Sequence, residues 1–278
     1  MPELPEVETV RRGLTPVMEG FVFDRVTLNR PDLRFPFADG FIDRVQGTTL
    51  TRLTRRAKFL QAELSSGERL FMHLGMSGRF TIDANPTADF EHEHNTNPKH
   101  DHVIFEMSSG ARVTFNDPRR FGFMELIGEG KPYRLDDLGP EPMGNGFNAP
   151  DLRAKLKGKK SKIKAALLDQ RIIAGLGNIY VCEALYRAGI SPKRAAGRLT
   201  VTETENLVGH IKDVIAQAIE AGGSSLKDFA NTEGDLGYFQ HSFDVYGREG
   251  EDCKNCEAPI QRIVQSGRSS FYCKACQI

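Results

Sequence analysis

Along the first eighteen residues the apolar positions return at helical intervals. Val7, Val10, Leu14 and Val17 share one face, which predicts an amphipathic helix over 2–18. From about 21 to 128 the period shortens to two. Residues 58–64 alternate, Ser65-Ser66-Gly67 makes a turn, and 69–74 returns; the same figure repeats at 102–107, Ser108-Ser109-Gly110 and 112–116. Short strands joined by hairpins predict a sandwich or a barrel. The polar insert 83–99 interrupts them and reads as a loop. Residues 131–150 hold four Pro and three Gly, the composition of an interdomain linker. The texture beyond is helical: Thr202-x-x-Glu205 reads as a capping box, with Leu207, Ile211, Val214, Ile215 and Ala218 as the apolar face behind it. No internal repeat is visible at solenoid periods.

Cysteine spacing adds chemistry to this outline. Four of the five cysteines form the string Cys253-x2-Cys256-x16-Cys273-x2-Cys276. Two such pairs supply four thiolates from two short turns, the ligand set of one structural, tetrahedral zinc ion. Two disulfides, or four unrelated thiols, are the competing readings. The tail from about 243 is too short for an apolar core of its own, so metal binding would supply its folding energy. Cys182 lies in an apolar helical run and reads as a small buried hydrophobe.

The 278 residues, 39% hydrophobic and 27% charged, suit one large domain or two medium ones. No stretch approaches the ~20 apolar residues of a membrane helix, and the acidic start of the chain is not that of a secretory signal. Lys plus Arg equals Asp plus Glu, 37 each, which excludes a globally basic nucleic-acid binder. The balance is local, however. Arg153, Lys155, Lys157, Lys159, Lys160, Lys162, Lys164 and Arg171 stand against Asp151 and Asp169 alone, a net charge of +6 over 151–172. Such a cluster points at an anionic polymer or is a solvated helix face.

The chain start is chemically distinctive. Removal of Met1 from Met1-Pro2-Glu3 leaves Pro2 with a free secondary amine, whose pKa near ~8 keeps a useful fraction neutral at pH 7. A neutral amine attacks carbon electrophiles, and the iminium it forms is an electron sink. Glu3 is placed to supply a proton. Alone, the same string reads as an ordinary helix start with Pro in the first turn. His92, His94, His100 and His102 read as a polar loop with scattered histidines rather than a metal site, and His73 as a structural residue.

Seven motifs in one order then converge. MPELPEVETVRRGL at the N-terminus, RRAKFL around Lys58, HLGMSGRF around Met76, KHDHV at 99–103, NDPRRFGFM around Arg119, GLGNIYVCEALYRAGISP at 175–192 and the terminal cysteine string resemble the bacterial formamidopyrimidine-DNA glycosylase family over residues 2–277. The resemblance implies an α+β protein of two domains: an N-terminal helix plus β-sandwich, and a C-terminal helical domain with a helix–two-turn–helix motif and a four-Cys zinc finger. The corresponding bounds are 1–130, a linker at 131–150, 151–242 and 243–278.

It also implies an activity: excision of oxidised purines from duplex DNA through a Schiff base, then β,δ-elimination. Pro2 is implied as nucleophile, Glu3 as general acid, Lys58 as the assistant of β-elimination, and Arg268 as a phosphate clamp associated with δ-elimination. An Arg fork suits the clamp role. Met76, Arg119 and Phe121 match residues that fill the void left by a flipped base, although outside the family Met76 and Phe121 would read as core. His100, Arg120, Lys160 and Asn178 match phosphate contacts, with Asn178 at the centre of the helix–two-turn–helix turn. The segment 224–242 matches a loop that closes over the base.

Implied partners are double-stranded DNA with oxidised bases or abasic sites and one structural Zn2+. A bacterial cytoplasmic monomer, nucleoid-associated when bound and without a membrane role, is the matching expectation. The competing readings are an endonuclease VIII-like glycosylase for oxidised pyrimidines and a non-catalytic binder of damaged DNA.

Overall fold

A computed structural model describes residues 2–83, 96–131, 133–224 and 239–278. The expectations for the insert at 84–95 and for most of the loop at 224–242 lie outside these residues. The chain forms two compact units, Met1–Tyr133 with Ala221–Tyr238, and Arg134–Glu220 with Phe239–Ile278.

The first unit opens with helix α1 (Leu4–Met18). Its face of Val7, Val10, Leu14 and Met18 is buried, while Val17 is only partly so. Two four-stranded antiparallel sheets follow. One has the order β1 (Phe23–Leu28), β6 (Asp101–Met107), β7 (Arg112–Asn116), β5 (Arg79–Asp83); the other runs β2 (Leu50–Arg56), β3 (Phe59–Leu64), β4 (Arg69–His73), β8 (Phe123–Ile127). The short helix α2 (Phe41–Val45) lies between β1 and β2 in sequence. Both hairpins read from the alternation are present, with Leu60 opposite Met72 and Phe105 opposite Val113. Inward residues of both sheets, among them Leu53, Leu60, Met72, Phe80, Phe105 and Phe115, join the apolar face of α1 in one core.

The second unit holds α3 (Ala149–Leu156), α4 (Ile163–Leu167), α5 (Asn178–Arg187) and α6 (Val201–Glu220), then the β9–β10 hairpin (Gln261–Gln265 and Arg268–Tyr272). Leu207, Ile211, Val214, Ile215 and Ala218 of α6 are all buried, as their spacing requires. The compact units divide the chain differently from the expected bounds in three places. The 131–150 segment is not a free linker: from Arg134 onward it belongs to the second unit, with the Gly139 N–H on the Gln170 carbonyl at 2.8 Å and Phe147 buried. A Cβ at Gly139 would lie 2.7 Å from the Arg171 carbonyl oxygen, so a glycine is required there. The finger region is not a separate body either, because 243–278 packs within the second unit. A third boundary shifts too, since 221–224 sits with the first unit.

The helix cap also moves. The capping box is Thr200-x-x-Glu203, two residues earlier than the spacing suggested: the Glu203 N–H donates to Thr200 Oγ1 at 3.2 Å, and Glu203 Oε2 accepts from the Thr200 N–H at 2.8 Å. Both frames satisfy the motif. Arg194 decides between them by gripping the Glu203 carboxylate with both guanidinium arms. The same grip holds Glu203 down to a pKa of about 2. Thr200→Ala should therefore cost about 1 kcal/mol in urea unfolding, and Thr202→Ala under about 0.5 kcal/mol. Because the folded pKa lies below the unfolded value, the contribution of Glu203 is complete above pH ~4.5 and is lost as pH falls through about 2. The melting-temperature difference between the protein and Glu203→Gln should shrink over that acid interval.

Candidate active site and zinc centre

Three loops of the first unit carry the residues of interest. The chain start is the first. Pro2 is buried, and Glu3, 3% exposed, is the N-cap of α1. The buried Glu6 carboxylate accepts the Glu3 N–H at 2.8 Å and, through its other oxygen, the N–H and hydroxyl of Ser224, each at 2.8 Å. One carboxylate thus fixes both the backbone beside Pro2 and the segment at 221–224. Gly223, at φ +83°, lies so close to Glu6 that a Cβ there would meet its Cγ at 3.2 Å.

The second loop is the two-residue turn between β2 and β3. Arg56 pairs with Phe59 across it, leaving Ala57 at φ +53° and Lys58 8% exposed. Lys58 therefore sits in the turn and not in the strand. A non-glycine residue in the left-handed region is strained and persists only where its surroundings hold it. Here Arg55 does so: Nη1 donates to the Ala57 carbonyl at 2.9 Å, and Nε to Glu8 on α1 at 3.2 Å. Glu8 also takes Arg11 and Arg12. The turn bearing Lys58 is thereby tied to the helix that begins at Pro2 and Glu3.

The third element is a double loop, 74–78 with 117–122. Asp117 is fully buried, and its carboxylate accepts Ser77 Oγ at 2.6 Å, the Gly122 N–H at 2.8 Å and the Arg119 N–H at 3.3 Å. Its carbonyl accepts His102 Nε2 at 2.9 Å, and burial lowers the pKa of that imidazole, favouring the neutral form. At Gly75, φ +65°, a Cβ would lie 2.3 Å from backbone atoms of Phe121 and Gly122, so the two loops touch backbone to backbone. Met76 and the Arg119–Phe121 pair, forty residues apart in sequence, become neighbours. Phe121 is 43% exposed with the Arg119 guanidinium 4.9 Å above its ring. Met76 is half-buried. The ordinary core reading of Met76 and Phe121 does not hold. Arg120 is exposed at φ +55°, and His100 is half-buried, its carbonyl accepting the Asp117 N–H. His73 is structural, accepting the Gly75 N–H and stacking on Phe123.

The second unit carries the rest. Arg268 is exposed at the start of β10, just after a turn of Ser266 and Gly267, both with positive φ. Asn178 begins α5; its Nδ2 donates to the Ser269 carbonyl at 3.0 Å, and its Oδ1 is buried without a hydrogen-bond partner. Lys164, 1% exposed, donates to the same carbonyl at 2.6 Å and to Ser270 Oγ at 2.7 Å. Lys164 counted in the basic run read as facing an anionic polymer or as a solvated helix face, but it is a buried clamp on the residue beside Arg268. Lys160 is exposed.

The four sulfurs of Cys253, Cys256, Cys273 and Cys276 all lie within 4.8 Å of one another. Those of Cys256 and Cys273 are 3.5 Å apart, far from the ~2.05 Å of a disulfide and near the ~3.8 Å edge of a tetrahedron of 2.3 Å Zn–S bonds. The residues fit a single structural zinc ion and no open catalytic position. Beyond the ligands, Tyr186 on α5 contacts Cys253 Sγ through its hydroxyl at 3.1 Å. Glu183, one turn earlier and fully buried, accepts the N–H groups of Asp244, Val245 and Tyr246 at 2.8–3.0 Å. Burial pushes its pKa up, and those three donors oppose the shift. Cys182 is buried beside them. Glu6, Asp117, Lys164 and Glu183 escaped the sequence reading because nothing in their local pattern separates a buried charge from a solvated one.

A helix-led β-sandwich and a helical unit closed by a four-thiolate finger make up the architecture of a zinc-finger DNA glycosylase. The chain matches the formamidopyrimidine-DNA glycosylase N-terminal domain over residues 1–124, the corresponding H2TH domain over 138–230, and the zinc finger found in FPG and IleRS over 250–278. It is 58% identical to the formamidopyrimidine-DNA glycosylase of Ruegeria pomeroyi and 56% identical to that of Rhodopseudomonas palustris strain HaA2, covering all of each. Among solved structures it superposes on MutM (Fpg) of Thermus thermophilus with TM-score 0.86 at 38% identity, over 99% of this chain and 98% of that one. It superposes on Lactococcus lactis Fpg bound to abasic-site DNA with TM-score 0.88 at 35% identity, over all of both. The chain belongs to the formamidopyrimidine-DNA glycosylase family.

Lys164→Met should cost about 1–3 kcal/mol in unfolding of the second unit and speed amide exchange in β9 and β10, because a buried charge-assisted pair is lost. Cys256→Ser, or chelation of the native protein, should abolish a stoichiometry of one zinc per chain and open 243–278 to limited proteolysis. Unchanged cleavage after complete metal loss would contradict the zinc account.

Proposed function

We propose that this chain is a bifunctional DNA glycosylase and abasic-site lyase for 8-oxoguanine and formamidopyrimidines in duplex DNA. The observation that carries the reading is the pairing, within one unit, of a buried Pro2-Glu3 start with a wedge of exposed Arg119 and Phe121 beside half-buried Met76 on rigid loops. Base excision requires the nucleotide to leave the stack, and something must fill the gap. Met and Phe wedge between base steps, while an Arg fork can hydrogen-bond the orphaned partner base.

Once Met1 is removed, the Pro2 nitrogen attacks C1′ of the extruded nucleotide. The glycosidic bond breaks, the base leaves with its electron pair, and Glu3 supplies a proton as the sugar ring opens to the iminium. The cationic iminium acidifies C2′, and loss of that proton expels the 3′ phosphate. Lys58 assists this step from its buried place in the β2–β3 turn. A second elimination releases the 5′ phosphate, and water returns Pro2. Arg268, Arg120, His100, Lys160 and Asn178 hold phosphates; the Asn178 amide already spends one N–H on Ser269, leaving its other donor and the N-terminal backbone of α5 for that task. The protein acts as a monomer in the bacterial cytoplasm. Among the described residues no helix is long and apolar enough to cross a membrane.

Borohydride reduction on an 8-oxoguanine:C duplex should trap a covalent adduct through the N-terminal residue of Met1-free protein. Pro2→Gly should lower excision by about 10²-fold or more while lesion-duplex affinity stays within about threefold, as expected when an interaction used only in the reaction is removed. Absence of the adduct from protein whose mass confirms Met1 removal would defeat the reading. Preferential release of thymine glycol would redirect it to oxidised pyrimidines.

A further inference from the structure

Helix α5 turns one face toward the finger. Cys182 and Glu183 precede Tyr186 by four and three residues, the spacing that stacks side chains on one side of a helix. Cys182 and Tyr186 pack in a single buried cluster with Val245, Ile260, Cys253 and Cys273. Tyr186, 6% exposed, brings a hydroxyl into this cluster and sets it 3.1 Å from Cys253 Sγ, its one hydrogen-bond partner among the described residues.

The four ligands are not equivalent. Cys253 and Cys273 are buried, Cys276 is half-buried and Cys256 is exposed. The second knuckle is tied to the unit through Gln277, which accepts the Cys273 N–H at 2.8 Å and donates to the Ile190 carbonyl at 2.9 Å. Those bonds hold backbone. Among the described side chains outside the tetrad, Tyr186 alone reaches a ligand sulfur. A metal-bound thiolate carries no proton, so the phenol donates and the sulfur accepts. A hydrogen bond to an ionised acceptor is roughly twice as strong as a neutral one, and apolar surroundings strengthen it further.

We propose that Tyr186 is a positioning residue of the zinc centre: its hydroxyl holds the Cys253 sulfur in place on the ion and slows the release of zinc from the finger. The inference is independent of the glycosylase reading. Zinc leaves a four-thiolate site only as its sulfurs detach one after another. Cys256, exposed, is the ligand that solvent and chelators reach first. Cys253, buried and hydrogen-bonded, is held to the last, and while it holds, the ion is recaptured by the other three. Filling the cluster would ask only for an aromatic ring. The hydroxyl is a further, polar commitment, satisfied in this dry setting by the sulfur.

The test is Y186F, which keeps the ring and removes only the O–H. Transfer of zinc from the zinc-loaded, full-length protein to excess EDTA, followed by the metal remaining after desalting, should be about 10-fold faster in Y186F, the lower end of what loss of an outer-shell bond costs a metal site. In the cobalt-substituted protein the sulfur-to-cobalt charge-transfer band should move to longer wavelength in Y186F, because a sulfur relieved of its hydrogen bond gives up electron density more readily. The ligand-field bands of tetrahedral cobalt should stay where they are. A role confined to packing moves neither observable. Release at the rate of the unaltered protein, or faster release with the charge-transfer band unmoved, overturns the proposal and leaves the glycosylase reading intact.

Discussion

Three parts of the structure around the proposed site depend on one kind of interaction, a buried carboxylate that grips backbone N–H groups. Asp117 is the clearest case: one fully buried side chain spans Ser77, Arg119 and Gly122 and so fixes the two loops that carry Met76, Arg119 and Phe121. Glu6 does the same between the Glu3 amide and Ser224, and Glu183 between α5 and the entry to the finger at 244–246. A buried carboxylate without donors is prohibitively costly, so each forces its loop into the one geometry that satisfies it. Loops held this way can present exposed, strained or unpaired side chains without collapsing around them. Phe121 stays out in solvent above the frame that Asp117 holds, and Ala57 stays at positive φ under the Arg55 guanidinium, itself held by Glu8.

The second unit solves the same problem with a metal and a cation. A hairpin as short as β9–β10 is marginal by itself. Four thiolates on one ion close its far end, and Lys164 with Asn178 pins the Ser269 carbonyl at the near end, one residue from Arg268. The side chains of α5 serve both ends. Asn178 reaches the hairpin, Glu183 the finger's entry and Tyr186 a zinc ligand, so a single ten-residue helix sets the positions of the β9–β10 hairpin and of the finger's entry.

Much of this was legible in the residue pattern. The period-two stretches marked both hairpins with their turns, the cysteine string marked the zinc tetrad, and the apolar face of α6 was correct residue by residue. What escaped is instructive. Two overlapping capping boxes satisfy the same motif, and only a distant arginine, Arg194, selects the frame. A Pro- and Gly-rich segment looks like a linker, yet its glycines permit close packing, as at Gly139. Met76 and Phe121 are apolar and would be placed in a core by composition; the half-buried Met76 and the exposed Phe121 are set by Gly75 and Asp117, residues whose partners lie about forty or more positions away. Local pattern reports local structure and burial tendency, whereas these positions are set by long-range backbone contacts.

The neutral total charge is the last apparent obstacle to a DNA-binding role, and the placement of the charges resolves it. Asp169 holds Arg171, Glu203 holds Arg194, Asp244 holds Arg187 and Lys254, and Glu251 holds Arg248, each removing an acid and at least one base from the field together. Glu8 absorbs Arg11, Arg12 and Arg55 in the same way. Because paired charges cancel at distances beyond a Debye length of about 8–10 Å, the field felt by an approaching polyanion is set by the unpaired remainder. Around 158–162 and 198 that remainder is entirely cationic. A sequence sum of zero thus conceals uneven placement: pairing removes acids and bases together, and the excess of +6 over 151–172 survives because exposed acids such as Asp24, Asp43, Glu205 and Asp213 lie outside that segment.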